Sequence, residues 1–280
     1  MFGNTKKMEK IKNFYAFCKS KYKLLNEKKY TTIAGTLVFF LIMSMMPLAF
    51  WLTLVLGKLP APAERMLKLP IFHSIGEIVE YIRKEAERAT GAASIFLAVT
   101  TLYSATNLFY QMRKSGEIIY DVKIMHNGIK SRIGALAILL IVLFLSVVLI
   151  TGFAMLAFLT SKILPDKAQT VADYVILLLG VFLVVLLFNT YVCPYRVPIK
   201  CFLIGSLVTL GAWVLASVGF GVYLLFSNVD RLYGALSAVI VFLLWLYILM
   251  ICFVSGIIFN SERVEKYLKG LNQAENNEKF

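Results

Sequence analysis

Residues 133–161 read IGALAILLIVLFLSVVLITGFAMLAFLTS, and no Asp, Glu, Lys, Arg or His interrupts them. A helix rises about 1.5 Å per residue, so about 20 apolar residues cross a hydrocarbon core of about 30 Å. This run exceeds that need. With no water at mid-membrane, each backbone amide must be satisfied inside its own segment, which selects a helix, and the run is too long for a barrel strand. Five more uncharged runs, 30–57, 89–112, 174–195, 201–229 and 232–261, pass the same test. The fold class expected is an all-α polytopic membrane protein with six transmembrane helices. Spans are placed at about 31–57, 90–112, 133–160, 174–194, 201–227 and 233–259. They form a single domain over 31–260, with tails at 1–30 and 261–280.

Composition agrees, with 59% hydrophobic residues and 16% charged ones among 280. A soluble domain of that size could not bury so much apolar surface, so lipid must be part of the solvent. The net charge of +13 could suggest nucleic acid, but its distribution points to the membrane. With the segments assigned alternately, the side of the amino-terminal tail holds 20 basic residues and eight acids, the other side nine and eight. Basic residues stay cytoplasmic during insertion, so both termini are expected in the cytoplasm of an inner-membrane, multi-pass protein. The first apolar run begins after Lys29 and is too long for a signal-peptide core, so the first helix is expected to serve as the insertion signal. None of the four cysteines (Cys18, Cys193, Cys201, Cys252) falls in an outer loop and there is no CxxC, so no disulfide and no metal is expected.

Two stretches outside the spans carry amphipathic patterns. In the tail, Met8, Ile11, Tyr15, Cys18, Tyr22 and Leu25 share a face opposite lysines. Such a helix either lies in the cytoplasmic interface among anionic headgroups or packs on the ends of the bundle. In the first outer loop, Ile71, Ile75, Ile78, Val79, Ile82 and Ala86 share a face behind Pro70, giving a second interfacial helix, as a brace or a lid.

Inside the spans the informative residues are polar or conformationally special. Thr100, Ser104, Asn107 and Gln111 recur at helical spacing in the second span, beside Tyr103 and Thr106. That stripe must face the bundle interior or a wet cavity, as interhelical glue or as a polar path. Asn189 in the fourth span is the other buried amide and the expected partner of the stripe. Pro47 should kink the first span, as a packing feature or a gate. The fifth span is rich in small residues, and Gly219 and Gly221 near its outer end could form a hinge.

What the chain lacks narrows its chemistry. His73 and His126 fall on opposite sides of the membrane, and there is no H-E-x-x-H, P-loop or GxSxG. No acid or base lies in the hydrocarbon core, which disfavours coupling through a buried carboxylate. The expectation is a protein that is not an enzyme and holds no catalytic residue, cofactor or metal. Its expected partners are membrane lipids, with anionic headgroups at the cytoplasmic face. A homo-oligomer stays open and nucleic acid is not expected.

The second half carries the run Phe220-Gly221-Val222-Tyr223, then Tyr233-Gly234-Ala235-Leu236, Leu244-Trp245-Leu246-Tyr247 and Gly256-Ile257-Ile258-Phe259-Asn260. With Phe39, Ser44 and Pro47, Leu102-Tyr103-Ser104-Ala105, and Arg196 before Gly205, the chain resembles the YihY/virulence factor BrkB family from about Lys29 to Asn260. The resemblance implies a six-span inner-membrane protein linked to envelope integrity, transporting or flipping a lipid-like or amphipathic envelope molecule, or else serving as a non-transporting scaffold or assembly factor. Tyr233, Gly234, Ala235, Trp245, Tyr247, Gly256 and Asn260 are the residues matching its motifs. One departure stands out. The family closes its last span with Gly-Ala-Glu-Leu-Asn, and this chain has Ile258 at the place of the glutamate. A ribonuclease label once attached to the family finds no metal ligands or basic groove in this chain to support it.

Overall fold

The computed structural model describes residues 16, 19–56, 92–122, 128–163, 166–226 and 235–278. Besides the helical residues 19–27, the described regular structure comprises α1 Tyr30–Leu56, α2 Ala92–Ile119, α3 Gly128–Ile163, α4 Asp166–Val192, the 3-10 turn Ile199–Cys201, α5 Leu203–Phe226 and α6 Ala235–Glu278. Four of the helices carry apolar windows able to cross a membrane: 129–153 in α3, 168–192 in α4, 203–224 in α5 and 239–273 in α6. Their outward faces are apolar: Phe144 is 72% exposed and Leu215 74%, so these side chains require lipid as their solvent. The proposed helix over 71–86 and the tail residues Met8, Ile11, Tyr15 and Cys18 lie outside the described residues.

The chain divides into two compact units. One comprises Met1–Val38, Ile118–Val122 and Tyr195–Phe280; the other comprises Phe39–Glu117 and Lys123–Pro194.

In the first unit α5 packs along α6. Phe202 just before α5 and Gly205, Ser206 and Thr209 on it recur at three- and four-residue spacing, and Phe253, Gly256, Ile257 and Asn260 do so on α6; all eight are buried. Gly205 and Gly256 let the helices approach closely, since a Cβ on Gly256 would overlap Thr209 Oγ1 and come 2.7 Å from the Gly205 carbonyl oxygen. The Gly205 amide is one of the first four in α5 and has no acceptor within its helix; it donates to Asn260 Oδ1 at 2.9 Å. Nearer the other end of this seam, Trp213 Nε1 donates to the Leu249 carbonyl at 2.7 Å, and Phe220 stacks on Trp245.

The last helix does not stop where the apolar run stops. α6 has 44 residues, about 66 Å of helix, roughly twice the thickness of a bilayer core. No proline follows Asn260, the lone Gly270 is tolerated within the helix, and charges do not end one, so the segment 261–278 continues it. Lys21 pairs with Glu262 on that extension and lies 5.5 Å from the Phe259 ring centroid. Lys28 pairs with Asp121. Of the two readings of the tail, these contacts favour packing on the protein for residues 19–29. Lys29 itself takes a left-handed conformation, φ 51°, which separates helical residues 19–27 from α1.

In the second unit the carboxyl end of α4 is gripped by α2. Arg113 donates from Nη1 to the carbonyls of Tyr191 at 2.7 Å and Cys193 at 2.6 Å. The final carbonyls of a helix lack intrahelical donors and carry partial negative charge, so a guanidinium is well matched to them. Tyr191 Oη returns a hydrogen bond to the Phe109 carbonyl at 3.0 Å, and Gly116 allows α2 to touch the backbone of Val192.

Pro47 lies inside α1. Its missing N–H orphans the carbonyl of Met43, four residues earlier. Ser104 of α2 donates its hydroxyl to that same oxygen, at a long 3.5 Å. Ser104→Ala is therefore expected to lower stability by no more than about 1 kcal/mol in a thermal scan. In a Pro47→Ala background, where residue 47 regains its amide proton, the same change should have no effect. An undiminished loss there would show that the hydroxyl serves something else.

Candidate functional site

Tyr103, Asn107 and Tyr110 follow one another at positions i, i+4 and i+7 of α2, so they form one continuous strip of its surface. Arg132 reaches this strip from the first turns of α3. Its Nη1 donates to Asn107 Oδ1 at 2.5 Å and its Nη2 to Tyr103 Oη at 3.1 Å. The guanidinium carbon lies 4.6 Å from the ring centroid of Tyr103 and 4.4 Å from that of Tyr110. Two aromatic faces and an amide oxygen thus hold a cation that belongs to an apolar window, residues 129–153. Each ring contributes roughly 0.5–2 kcal/mol toward tolerating the charge, more as water is excluded.

The cation is only partly committed. A guanidinium has five N–H donors, and two of them are used among the described residues. Among the described residues no carboxylate lies within ion-pair distance of Arg132. In front of it opens a groove of about 520 Å³. Tyr103, Tyr110 and Arg132 form its head, and Leu102, Thr106, Ile129, Ile133 and Leu136 its walls. It is open-sided, since Tyr103 is 59% exposed, Ile129 75% and Ile133 62%. Thr106 adds little polarity, because its hydroxyl is turned onto the Tyr103 carbonyl at 2.7 Å. Such a trough can take up an elongated apolar group and fix an anion at one end. Among the described residues it offers neither a nucleophile paired with a base nor a cluster of three metal-ligating side chains.

The residues singled out from sequence are not gathered into one cavity. Thr100 is exposed on α2, Ser104 serves the Met43 carbonyl, and Gln111 is half-buried one turn beyond Asn107. None of these three lines the groove; Asn107 reaches it through Arg132. Asn189 is fully buried, and its Nδ2 donates to the Val185 carbonyl of its own helix at 2.9 Å. Asn107 therefore pairs with Arg132 and not with Asn189, because α3 brings it a charged donor that an amide cannot match. Gly219 and Gly221 face open space, with nothing within 4 Å of an added Cβ.

The family-motif residues divide likewise. Tyr233 and Gly234 lie outside the described residues, and Ala235 begins α6. Trp245 stacks with Phe220 at 5.6 Å, and its buried Nε1 has no hydrogen-bond partner among the described residues. Tyr247 Oη lies 3.5 Å from the Thr31 carbonyl, while Gly256 and Asn260 form the α5–α6 seam. Ile258, at the place of the family glutamate, is 0% exposed, so the chain has an aliphatic group at a fully buried position.

Arg132 immediately precedes the uncharged run 133–161, so in sequence it reads as a loop charge. The signal was the spacing of Tyr103, Asn107 and Tyr110, an amide between two aromatic rings on the facing helix.

The family described as virulence factor BrkB matches residues 22–279. A UPF0761 membrane protein of Saccharophagus degradans is 28% identical over 255 residues, covering 85% of this chain and 57% of its own length. A UPF0761 membrane protein of Pseudomonas aeruginosa strain LESB58 is 31% identical over 187 residues, covering 62% of this chain and 43% of its own. The chain thus spans about half the length of the curated relatives it matches. No solved structure matches it.

Proposed function

Because the chain belongs to the virulence factor BrkB family, we propose that it is a six-span, inner-membrane protein, both termini cytoplasmic, that moves or flips a lipid-like envelope molecule. The observation that supports this reading is the open groove between α2 and α3, apolar along its walls and cationic at its head. A lipid has that same division of chemistry. In this reading the protein is not an enzyme, requires no cofactor and has membrane lipids as its partners.

The experiment is reconstitution of the full chain into vesicles carrying a fluorescent phospholipid, with dithionite reduction of the outer-leaflet dye. Protein-dependent loss of the dye's protected half supports movement. Protection equal to that of protein-free vesicles overturns it and favours the second reading, a non-transporting scaffold or assembly factor. The tight backbone contacts at Gly116 and Gly256 favour that second reading, since they suit a rigid bundle. The topology has its own test. Reporters fused after Phe280 and within 60–70 should report opposite compartments, because the basic excess lies on the side of the termini; a shared compartment overturns it.

A further inference from the structure

We infer that Arg132 is a headgroup clamp: it binds the phosphate of an anionic phospholipid whose acyl chain lies along the groove wall at Ile129, Ile133 and Leu136. This rests on the reading of the groove as a path for an amphiphile and adds to it the headgroup chemistry and the residue that selects it.

Three observations carry the assignment. Among the described residues the guanidinium spends two of its five N–H groups, on Asn107 and Tyr103, and a fork of coplanar N–H donors matches two phosphate oxygens at once. Its two aromatic contacts, at 4.4 and 4.6 Å, fix the plane of the fork before any ligand arrives, so little rotamer freedom is lost on binding. No carboxylate among the described residues competes for it. A free phosphate ion would use the fork but not the walls. The aliphatic side chains at Ile129 and Ile133, both strongly exposed beside the charge, favour a lipid as the source. Arg132 lies at the amino-terminal end of α3, so the lipid is drawn from the leaflet that this end of the helix faces.

The test uses the full chain in nanodiscs containing equal amounts of phosphatidylglycerol and phosphatidylcholine, with native mass spectrometry of the lipid retained after release. Wild-type protein should retain the anionic lipid preferentially. Arg132→Gln should reduce that preference by about tenfold, the effect of losing charge-assisted hydrogen bonds. Arg132→Lys should restore it only in part, because an ammonium is a point charge without the fork. Ile133→Trp, at an exposed wall position that folding should tolerate, keeps the cation and fills the groove. It should weaken retention of both lipids, and this reads out the site even if Arg132→Gln fails to fold. Inorganic phosphate in large excess should displace little anionic lipid. Full displacement would assign the fork to a soluble anion and overturn the lipid. An unchanged headgroup preference in folded Arg132→Gln would overturn the clamp while leaving lipid movement intact. Selective retention without lipid movement in vesicles would support the clamp and remove the transport reading.

Discussion

Gly116→Ala is expected to destabilise the protein by about 1–3 kcal/mol, the range for overpacking a closed contact, visible as a lower midpoint in a thermal scan of the detergent-solubilised chain. A Cβ at this position would overlap the carbonyl oxygen of Val192 and come within 2.8 Å of its Cγ1. Backbone cannot rotate aside as a flexible side-chain tip can, so the end of α4 must move away from α2. Arg113, one turn earlier on α2, holds the carbonyls of Tyr191 and Cys193 at that same end. The two residues share one contact, so Arg113→Ala and Gly116→Ala should combine to less than the sum of their separate losses. Gly134→Ala and Gly211→Ala supply the control. Nothing lies within 4 Å of a Cβ at either, and both should be neutral or gain up to about 1 kcal/mol from helix propensity. A Gly116→Ala protein that melts with the wild type would remove the close α2–α4 approach.

The contrast between Gly116 and Gly134 marks where sequence stops being informative. Both are helical glycines, one beside the charges Arg113 and Lys114, the other beside Arg132, and nothing local separates a contact glycine from an idle one. The spans were legible because a long uncharged run has one physical outcome in a bilayer. The four longest apolar windows of α3 to α6 fall within or around the runs that length and charge select. Helix ends were less legible. Lipid exposure stops at the headgroups, while the α-helix continues until a residue breaks it, so α6 runs on to Glu278 and α3 begins at Gly128. The polar stripe was visible as a period on α2, but its partners depend on which helix faces it. Ser104 answers a proline on α1, and Asn107 answers an arginine on α3. Arg132 reads in sequence as the last charge before the run 133–161, yet it lies inside the apolar window 129–153, and its partners come from the facing helix α2.

Asn260 offers the second large effect, and it tests a cap supplied by another helix. Its Oδ1 accepts from the amide of Gly205 in the first turn of α5, where no carbonyl of α5 can serve, and both residues are buried. Asn260→Ala leaves that N–H buried without its acceptor. The expected loss is about 1–3 kcal/mol, above the roughly 0.6 kcal/mol average of interhelical bonds in membranes, because a buried helix-start amide has no carbonyl of its own helix to replace the lost acceptor. Gly205→Ala should cost about as much by a different route. The new Cβ would occupy the space of the Asn260 amide group and expel it. Each change therefore destroys the same hydrogen bond, and Gly205→Ala combined with Asn260→Ala should cost little more than either alone, since the shortened side chain at 260 leaves room for the methyl at 205. Thermal midpoints of the two single variants and the double variant decide the matter. Subadditive losses identify Asn260 as the cap of α5. Fully additive losses would mean that the two positions act on separate contacts, and the cap would then lose its claim to hold the α5–α6 seam.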